Sequence, residues 1–259
     1  MIGVFGGSGF YSLLDDAKRV EVDTPYGKPS APYLVGRVAG IDVAFLPRHG
    51  EDHQFPAHKV PFRANAWGMK ELGVDRVIGP CAAGSLLAEL EPGAFVVSDQ
   101  LVDRTHSRDG TFFDGPETVH LSFADPYCSE LRPLALEAST NAGAPVHDGG
   151  TVVVIQGPRF STKAESAYYA RQGWGVINMT QAPEAQLCRE LEMCYVNIAV
   201  ITDYDVGVVG DVGAVTHAEV LRQFEASLGT LRNAVLDLIP KAAATPRSCE
   251  CPNALHGAS

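Results

Sequence analysis

The chain has 259 residues, of which 46 % are hydrophobic and 20 % are charged, and its formal net charge at pH 7 is −11. These proportions predict a globular fold and exclude a disordered chain. Because an acidic protein repels phosphate polymers, we expect neither nucleic acid nor an anionic membrane as a partner. The N-terminus lacks a basic region followed by a long apolar run, and no stretch approaches the ~20 apolar residues of a membrane span, so a cytoplasmic protein is expected.

Six cysteines are scattered along the chain without the spacing of a disulfide framework, so reduced thiols are expected. The pair in Cys249-Glu250-Cys251 could form a local bridge or bind a metal. Alternatively, it is two exposed thiols, because residues 242–259 are rich in Ala, Pro and Ser and are predicted to form a flexible tail. Residues 1–241 are predicted to form a single domain.

Six short apolar segments, several rich in Val and Ile, predict strands: Ile2–Phe5, Ile41–Leu46, Arg76–Gly79, Ala94–Val97, Thr151–Ile155 and Val196–Ile201. Apolar spacing and terminal signals predict five helices: Lys59–Leu72, Ser129–Ala142, Lys163–Gln172, Pro183–Leu191 and Thr216–Ile239. Strands that alternate with helices predict an α/β fold with a largely parallel or mixed sheet covered on both faces.

A glycine-rich segment, Gly6-Gly7-Ser8-Gly9, directly follows the first predicted strand. Glycines allow backbone N–H groups to approach an anion, and Ser8 adds a hydroxyl donor. A G-x-G-x-x-G frame that starts at Gly7 has Ser12 at its last glycine position, so the dinucleotide fingerprint is incomplete. The spacing of a Walker loop is also absent. This segment alone is therefore compatible with either a tight turn or a phosphate site.

Polar motifs follow the predicted strands in series. Arg48-His49-Gly50 ends one strand, at the edge where ligand sites of α/β proteins gather. Arg48 suits phosphate because a guanidinium donates two charge-assisted hydrogen bonds in a fork. The remaining motifs are Asp23–Gly27, Arg63–Asn65, Gly84–Leu86, Asp99–Thr105, Gln156–Ser161, Asn178–Thr180, Pro183–Glu184 and Thr202–Asp205. In order and spacing, the series resembles the methylthioadenosine phosphorylase branch of the purine nucleoside phosphorylase family, from Ile2 to about Leu238.

The resemblance implies a central mixed sheet that closes into a distorted barrel flanked by helices, and a homotrimer with active sites at subunit interfaces. It also implies the reaction: phosphate cleaves 5'-methylthioadenosine to adenine and 5-methylthioribose 1-phosphate. The transition state resembles an oxocarbenium ion while negative charge builds on the purine. The site must therefore hold phosphate in line and protonate or hydrogen-bond N7 of the base. No metal and no cofactor are expected, and inorganic phosphate is a co-substrate.

The resemblance assigns phosphate binding to Ser8, Arg48, His49, Cys81, Ala82 and Thr180. Position 81 departs from the family pattern, in which threonine is usual, and a thiol is a poorer donor than a hydroxyl. We expect modestly weaker phosphate binding, with the backbone amide at Ala82 still available. An equally open alternative is that Cys81 is a buried thiol at a strand end.

The resemblance assigns base recognition and catalysis to Asp203 and Asp205. One oxygen of Asp203 can accept a hydrogen bond from the amino group of adenine, and the other, when protonated, can donate to N7. This role requires a raised pKa, which burial against the purine would supply. Asp205 resembles a second carboxylate that supports the base pocket; alternatively, it is a loop or capping acid.

Ser161 and Asp203 together favour adenine over 6-oxopurines. The branches that use 6-oxopurines typically have Glu and Asn at these two positions. A mismatched hydrogen-bonding group leaves a buried polar atom unpaired, at a cost of about 1–3 kcal/mol. The sequence therefore predicts an aminopurine nucleoside as the substrate.

The remaining residues of the predicted substrate site surround the sugar. The resemblance places Met179 beneath the ribose, Phe160 against the base edge or sugar, and His120 near the 5' end of a neighbouring subunit's substrate. These residues, with Asn178 and Val220, complete the substrate-binding set.

Val220 fits an apolar methylthio pocket. His217 occupies a position where an aliphatic residue is common in this branch. Because a histidine could hydrogen-bond a 5'-hydroxyl, we also expect cleavage of adenosine.

Three alternatives remain open from sequence. A 6-oxopurine phosphorylase would act on inosine-type nucleosides, a hydrolase would use water in place of phosphate, and a nucleoside- or NAD-binding protein would show no turnover. Asp203 and Ser161 argue against a 6-oxopurine phosphorylase. The anion-binding residues around Arg48 argue against a hydrolase. The third is supported only by the glycine-rich segment.

Overall fold

The computed structural model describes residues 1–6, 14–208 and 215–258, which form eleven strands and five α-helices. The strands are β1 Ile2–Gly6, β2 Asp15–Val20, β3 Tyr33–Val38, β4 Ile41–Pro47, β5 Arg76–Ser85, β6 Phe95–Val97, β7 Gln100–Arg104, β8 Val146–Asp148, β9 Thr151–Ile155, β10 Val176–Asn178 and β11 Cys194–Tyr204. The helices are α1 Phe62–Glu71, α2 Leu131–Asn141, α3 Lys163–Arg171, α4 Gln181–Glu190 and α5 His217–Ala244.

The sheet branches at β5. On one edge, the first residues of β5 pair in parallel with β1, up to Ile78, and its last residues pair antiparallel with β10, from Gly84. On the other edge, β11 runs parallel to β5 along its whole length. The strand order is β2-β3-β4-β1-β5-β10-β9-β7, and β11, β6 and β8 extend from the other edge of β5. This mixed sheet with flanking helices confirms the expected fold class.

Both faces of the central strands are covered, which explains their continuous apolar sequences. Because neighbouring strand residues point to opposite faces, Val77 belongs to one core cluster and Ile78 to the other. The first cluster includes Met69 of α1 and Leu187 of α4, and the second includes residues of α2 and α5 such as Leu238. β5 and β11 are therefore buried central strands, and their packing fixes the positions of the residues at their carboxyl ends.

All six predicted strands and five predicted helices occur in the structure, with shifted ends. Five further strands were not predicted: β2, β3, β7, β8 and β10. The last helix was expected to end at Ile239, but it continues through Pro240 to Ala244. No helix among the described residues is long and apolar enough to cross a bilayer.

The segment after α5 packs on the body of the protein, although its composition suggested a loose tail. Cys251 is buried, and Arg247 Nη2 donates to the carbonyl oxygen of Glu192 at 2.6 Å. The backbone N–H of Ser248 donates to Glu130 Oε1 at 3.0 Å. Near the end of the chain, the carbonyl of Ala258 accepts a hydrogen bond from the backbone N–H of His120.

Candidate active site

The predicted site residues converge where the sheet divides. Between the end of the β1 pairing at Ile78 and the start of the β10 pairing at Gly84, one edge of β5 faces the ends of β4 and β10. Crevices at the carboxyl ends of strands, where neighbouring connections diverge, are the usual ligand sites of α/β sheets. Arg48 follows β4, Asn178 ends β10, and Asp203 lies near the end of β11.

Arg48 is buried and forms a bidentate ion pair with Glu184 of α4. Its Nε donates to Oε2 at 2.5 Å and its Nη2 donates to Oε1 at 2.8 Å. Nη1 donates to the carbonyl of Pro80 at 3.2 Å, and the hydroxyl of Tyr195 donates to Glu184 Oε1 at 2.8 Å. Burial alone would lower the pKa of Arg48, but the charge and hydrogen bonds of Glu184 raise it.

Three of the five guanidinium N–H groups of Arg48 are engaged in these bonds, which leaves two to donate to a ligand. Glu184 therefore orients Arg48. The Pro183–Glu184 motif was one of those that carry the resemblance, but the sequence did not predict a role for Glu184.

His49 has a defined tautomer. Its Nδ1 lies 2.8 Å from the carbonyl oxygen of Phe55, and because that oxygen can only accept, Nδ1 carries the proton. Burial, the charge of Arg48 and the neighbouring His53 lower the pKa of His49 to about 4, although the Phe55 carbonyl opposes the shift. The ring stacks on that of His53 with centroids 4.5 Å apart. At neutral pH His49 is therefore uncharged, and its Nε2 accepts hydrogen bonds.

Cys81 is buried, and its sulfur accepts hydrogen bonds from side-chain amides. Asn178 Nδ2 lies 3.2 Å and Asn197 Nδ2 lies 3.3 Å from Sγ. Burial raises the pKa of the Cys81 thiol, and the amides and Arg48 only partly offset this. A neutral thiol bonded in this way fits the alternative of a structural cysteine. Its neighbour Ala82 is the one residue of β5 that is not fully buried.

Thr180 immediately precedes α4 and is buried, and its side chain makes no capping hydrogen bond. Within α4, Ala182 has non-helical φ and ψ angles, and the next residue, Pro183, has no backbone N–H. The helix proper therefore starts at Pro183, and its first turn supplies Glu184, the partner of Arg48. Ser8, the remaining predicted phosphate ligand, lies outside the described residues.

A β-bulge sets the position of Asp203. The β11–β5 register shifts between Ile201 and Asp203, which places Asp203 opposite Gly84. Bulges turn a side chain away from its regular direction. A Cβ at Gly84 would lie 3.0 Å from Asp203 Oδ2, so the glycine makes room for the carboxyl group. Thr202 Oγ1 lies 2.7 Å from the other oxygen, Oδ1.

The carboxyl group of Asp203 keeps its proton to a higher pH than an ordinary aspartate does. Burial raises the pKa of Asp203 to about 6, with the hydroxyl of Thr202 opposing the rise and the negative charge of Asp205 adding to it. This direction is the one that the sequence analysis required for a donor to N7.

Asp205 lies beside two serines. Its backbone N–H donates to the carbonyl of Ser85 at 2.8 Å. Burial raises its pKa, and the hydroxyls of Ser166 and Ser161 act in the opposite direction. Among the described residues, Asp205 Oδ2, Ser161 Oγ and Ser166 Oγ are buried without a hydrogen bond of regular geometry. Because both hydroxyls interact with Asp205, the three groups form one buried polar cluster just after β11.

Arg108 joins the two segments that carry the Asn178–Thr180 and Gln156–Ser161 motifs, a role that its place in the sequence did not predict. Nη1 donates to the carbonyl of Met179 at 2.9 Å and to that of Ala182 at 2.6 Å, while Nη2 donates to the carbonyl of Gln156 at 2.8 Å. Met179 also packs on Gly157, where a Cβ would lie 2.6 Å from its sulfur. Arg108 thus fixes the Asn178–Thr180 motif against the Gln156–Ser161 motif.

The remaining predicted residues lie around this centre or on the surface. Phe160 and Val220 are half-buried, whereas His217, the first residue of α5, is exposed. Burial lowers the pKa of His53, and the nearby His217 contributes to the shift. His120 is exposed on the long connection between β7 and α2.

The sequence model of the phosphorylase superfamily matches residues 1–240. The chain belongs to this superfamily. It is 53 % identical to the S-methyl-5'-thioadenosine phosphorylase of Mycobacterium tuberculosis over 96 % of this chain and 92 % of the relative. It is 49 % identical to the purine nucleoside phosphorylase of Streptomyces coelicolor, over 99 % and 94 % respectively.

Among solved structures, the methylthioadenosine phosphorylase of Schistosoma mansoni in complex with adenine superimposes with a TM-score of 0.92 at 33 % identity. The match covers 99 % of this chain and 96 % of that one. The resemblance expected from the motif series is therefore confirmed at the level of the superfamily.

Proposed function

We propose that this member of the phosphorylase superfamily cleaves S-methyl-5'-thioadenosine with inorganic phosphate, releasing adenine and 5-methylthio-α-D-ribose 1-phosphate. The main support for the proposal is the carboxyl group of Asp203, which lies beside Gly84. Burial raises the pKa of this group to about 6. The relatives and solved structures whose names include methylthioadenosine support the same substrate.

In the proposed reaction, phosphate oxygen forms a bond to the anomeric carbon while the bond to N9 breaks. Asp203 donates its proton to N7 and neutralises the charge that builds on the purine. Asp205 and Ser161, which lie in the buried polar cluster just after β11, bond the polar edge of the base. No cofactor takes part, and phosphate is the only co-substrate.

Phosphate is held by Arg48, Thr180 and the backbone near Ala82. Arg48 contributes its two remaining N–H groups, and its charge is balanced by Glu184. Neutral His49 accepts a hydrogen bond from a protonated phosphate oxygen at Nε2. The hydroxyl of Thr180 is not used for capping and is available to phosphate.

Because one relative is named purine nucleoside phosphorylase, cleavage of 6-oxopurine nucleosides is a second candidate function. A 6-oxopurine presents an acceptor at C6, where adenine presents an amino donor. A carboxyl group that donates to N7 from its protonated oxygen can accept a hydrogen bond at C6 with its other oxygen, which suits the amino group of adenine. Asp203 and Ser161 therefore favour the aminopurine, and adenosine is proposed as a further substrate because the resemblance assigns His217 to the 5' side of the sugar.

We also propose a homotrimer in which His120 completes the substrate site of a neighbouring copy. Its exposure supports this role. A cleft of about 540 Å³, lined by Tyr26, Trp67 and Phe112 together with the charged residues Lys70, Glu117, Glu190 and Glu192, offers a mixed apolar and charged surface for a subunit contact. We place the reaction in the cytoplasm, in the salvage of purine and of the methylthioribose unit.

The test is a product assay with methylthioadenosine, adenosine and inosine side by side, with and without phosphate. We expect adenine from the first two, strictly dependent on phosphate, and little hypoxanthine from inosine. Preferred cleavage of inosine would assign the 6-oxopurine activity instead. Equal rates without phosphate would assign hydrolysis, and binding without turnover would indicate a non-catalytic protein.

A further inference from the structure

Four cysteines that are distant in sequence meet at the end of the sheet opposite the candidate active site. The sulfur atoms of Cys128, Cys194, Cys249 and Cys251 all lie within 4.8 Å of one another. Cys194 begins β11, and Asp203 lies nine residues later on the same strand, so the two ends are about 30 Å apart. The cluster therefore has no direct part in the proposed reaction.

Two of the separations within the cluster are close to the edge length of a metal–thiolate tetrahedron. Four thiolates at about 2.3 Å from a zinc ion lie about 3.8 Å from one another. Cys249 Sγ lies 3.6 Å from Cys128 Sγ and 3.5 Å from Cys194 Sγ. A disulfide would join one pair at about 2.05 Å. A sulfur that is equidistant from two others favours one shared centre over a defined pair.

Backbone N–H groups lie against two of the four sulfur atoms. Backbone N–H groups of Glu130 and Leu131 donate to Cys128 Sγ, just before the N-terminus of α2, where the helix dipole favours negative charge. The backbone N–H of Cys251 donates to Cys249 Sγ. Such donors around the sulfur atoms are a regular feature of metal–thiolate sites.

Arg247 supplies a positive charge beside the cluster. Its guanidinium interacts with Cys194, and its Nε is buried with no hydrogen-bond partner among the described residues. A four-thiolate zinc centre carries a net charge of −2, which this guanidinium would partly balance.

We infer that Cys128, Cys194, Cys249 and Cys251 bind one structural zinc ion. Four protein sulfur ligands and no open position are the mark of a structural zinc site. On binding, the four thiols lose their protons to solvent and no electron is transferred. The ion joins the C-terminal segment to β11 and to the start of α2, and thereby holds the segment whose Ala258 contacts the His120 loop.

The test is the metal content of the full chain, expressed with zinc and purified without chelator under argon. We expect about one zinc ion per chain, and X-ray absorption should show four sulfur neighbours at about 2.3 Å. Cys251→Ser and Cys128→Ser should each retain less than about a tenth of this zinc. Cys188→Ser removes a buried cysteine outside the cluster and should keep all of it.

Thiol counting on the wild-type chain provides a readout that does not depend on the folding of variants. After denaturation with chelator and without reductant, all six cysteines should react. Two reactive thiols, an intact mass lower by about four hydrogens and no metal would show two disulfides and overturn the inference. Stoichiometric iron, or full zinc in Cys251→Ser, would also overturn it, as would failure of the reduced chain to take up zinc.

Discussion

The substitution Asp203→Asn should make the protein more stable while it removes most of its activity. Burial raises the pKa of this carboxyl from 3.8 to about 6. Below pH 3.8 the group is protonated in both the folded and the unfolded chain, so it has no effect on stability. As the pH rises to about 6, only the unfolded chain ionises, and the folded state loses free energy relative to it. Above about 6 the penalty is constant.

The size of the penalty follows from the pKa change. At about 1.4 kcal/mol per pH unit, the difference between 3.8 and about 6 destabilises the wild type by about 3 kcal/mol at pH 8. An amide of the same shape does not ionise and escapes this penalty. Asp203→Asn should therefore gain up to about 3 kcal/mol at pH 8 and almost nothing at pH 4.

The assay is denaturant unfolding from pH 4 to pH 8, combined with kcat/KM for methylthioadenosine. Loss of a general acid should lower kcat/KM by about 10²–10⁴-fold, and the fall of wild-type activity above about pH 6 should disappear. Asp42→Asn, at an exposed aspartate, is the control and should change stability by less than about 0.5 kcal/mol. Unfolding free energies that differ by the same amount at pH 4 and pH 8 would refute the reasoning.

Four further substitutions test other contacts. Glu184→Gln leaves Arg48 buried without its counter-charge, so unfolding in urea should show a loss of about 3–5 kcal/mol; a loss below 1 kcal/mol would contradict the ion-pair geometry. Gly84→Ala should lower kcat/KM more than about tenfold and should also lower Tm, because its Cβ would lie 3.0 Å from Asp203 Oδ2 and 3.0 Å from Cγ2 of the buried Ile177. Cys81→Thr should lower the KM for phosphate by about two- to tenfold, and no change would mark the thiol as purely structural. His217→Val should raise the kcat/KM ratio of methylthioadenosine to adenosine; an unchanged ratio would remove this histidine from specificity.

The sequence was informative where local pattern and burial agree. β5 and β11 have continuous apolar sequences because both of their faces are covered, and both were predicted, although shorter than they are. β2 was missed because its sequence, DDAKRV, is mostly charged, as suits a strand at the sheet edge. α5 continues past Pro240, where burial of Leu238, Ile239 and Ala242 outweighs the missing backbone donor.

For the candidate site too, some features could be predicted from the sequence and others could not. The motif series predicted Arg48 and Asp203 as site residues, since residue type and order carry that information. It could not reveal that Glu184 orients Arg48, because the two lie 136 residues apart. Arg108 was not predicted because most of its partners are backbone carbonyls, which the sequence does not reveal.

The central claim is that a protonated Asp203 donates to N7 of adenine beside a phosphate held by Arg48. A crystal structure with adenine and phosphate bound tests it most directly. We expect one oxygen of Asp203 at about 2.7–3.0 Å from N7, and phosphate oxygens at the same distance from Arg48. Adenine bound with N7 facing away from this carboxyl, or phosphate bound apart from the guanidinium, would contradict the account.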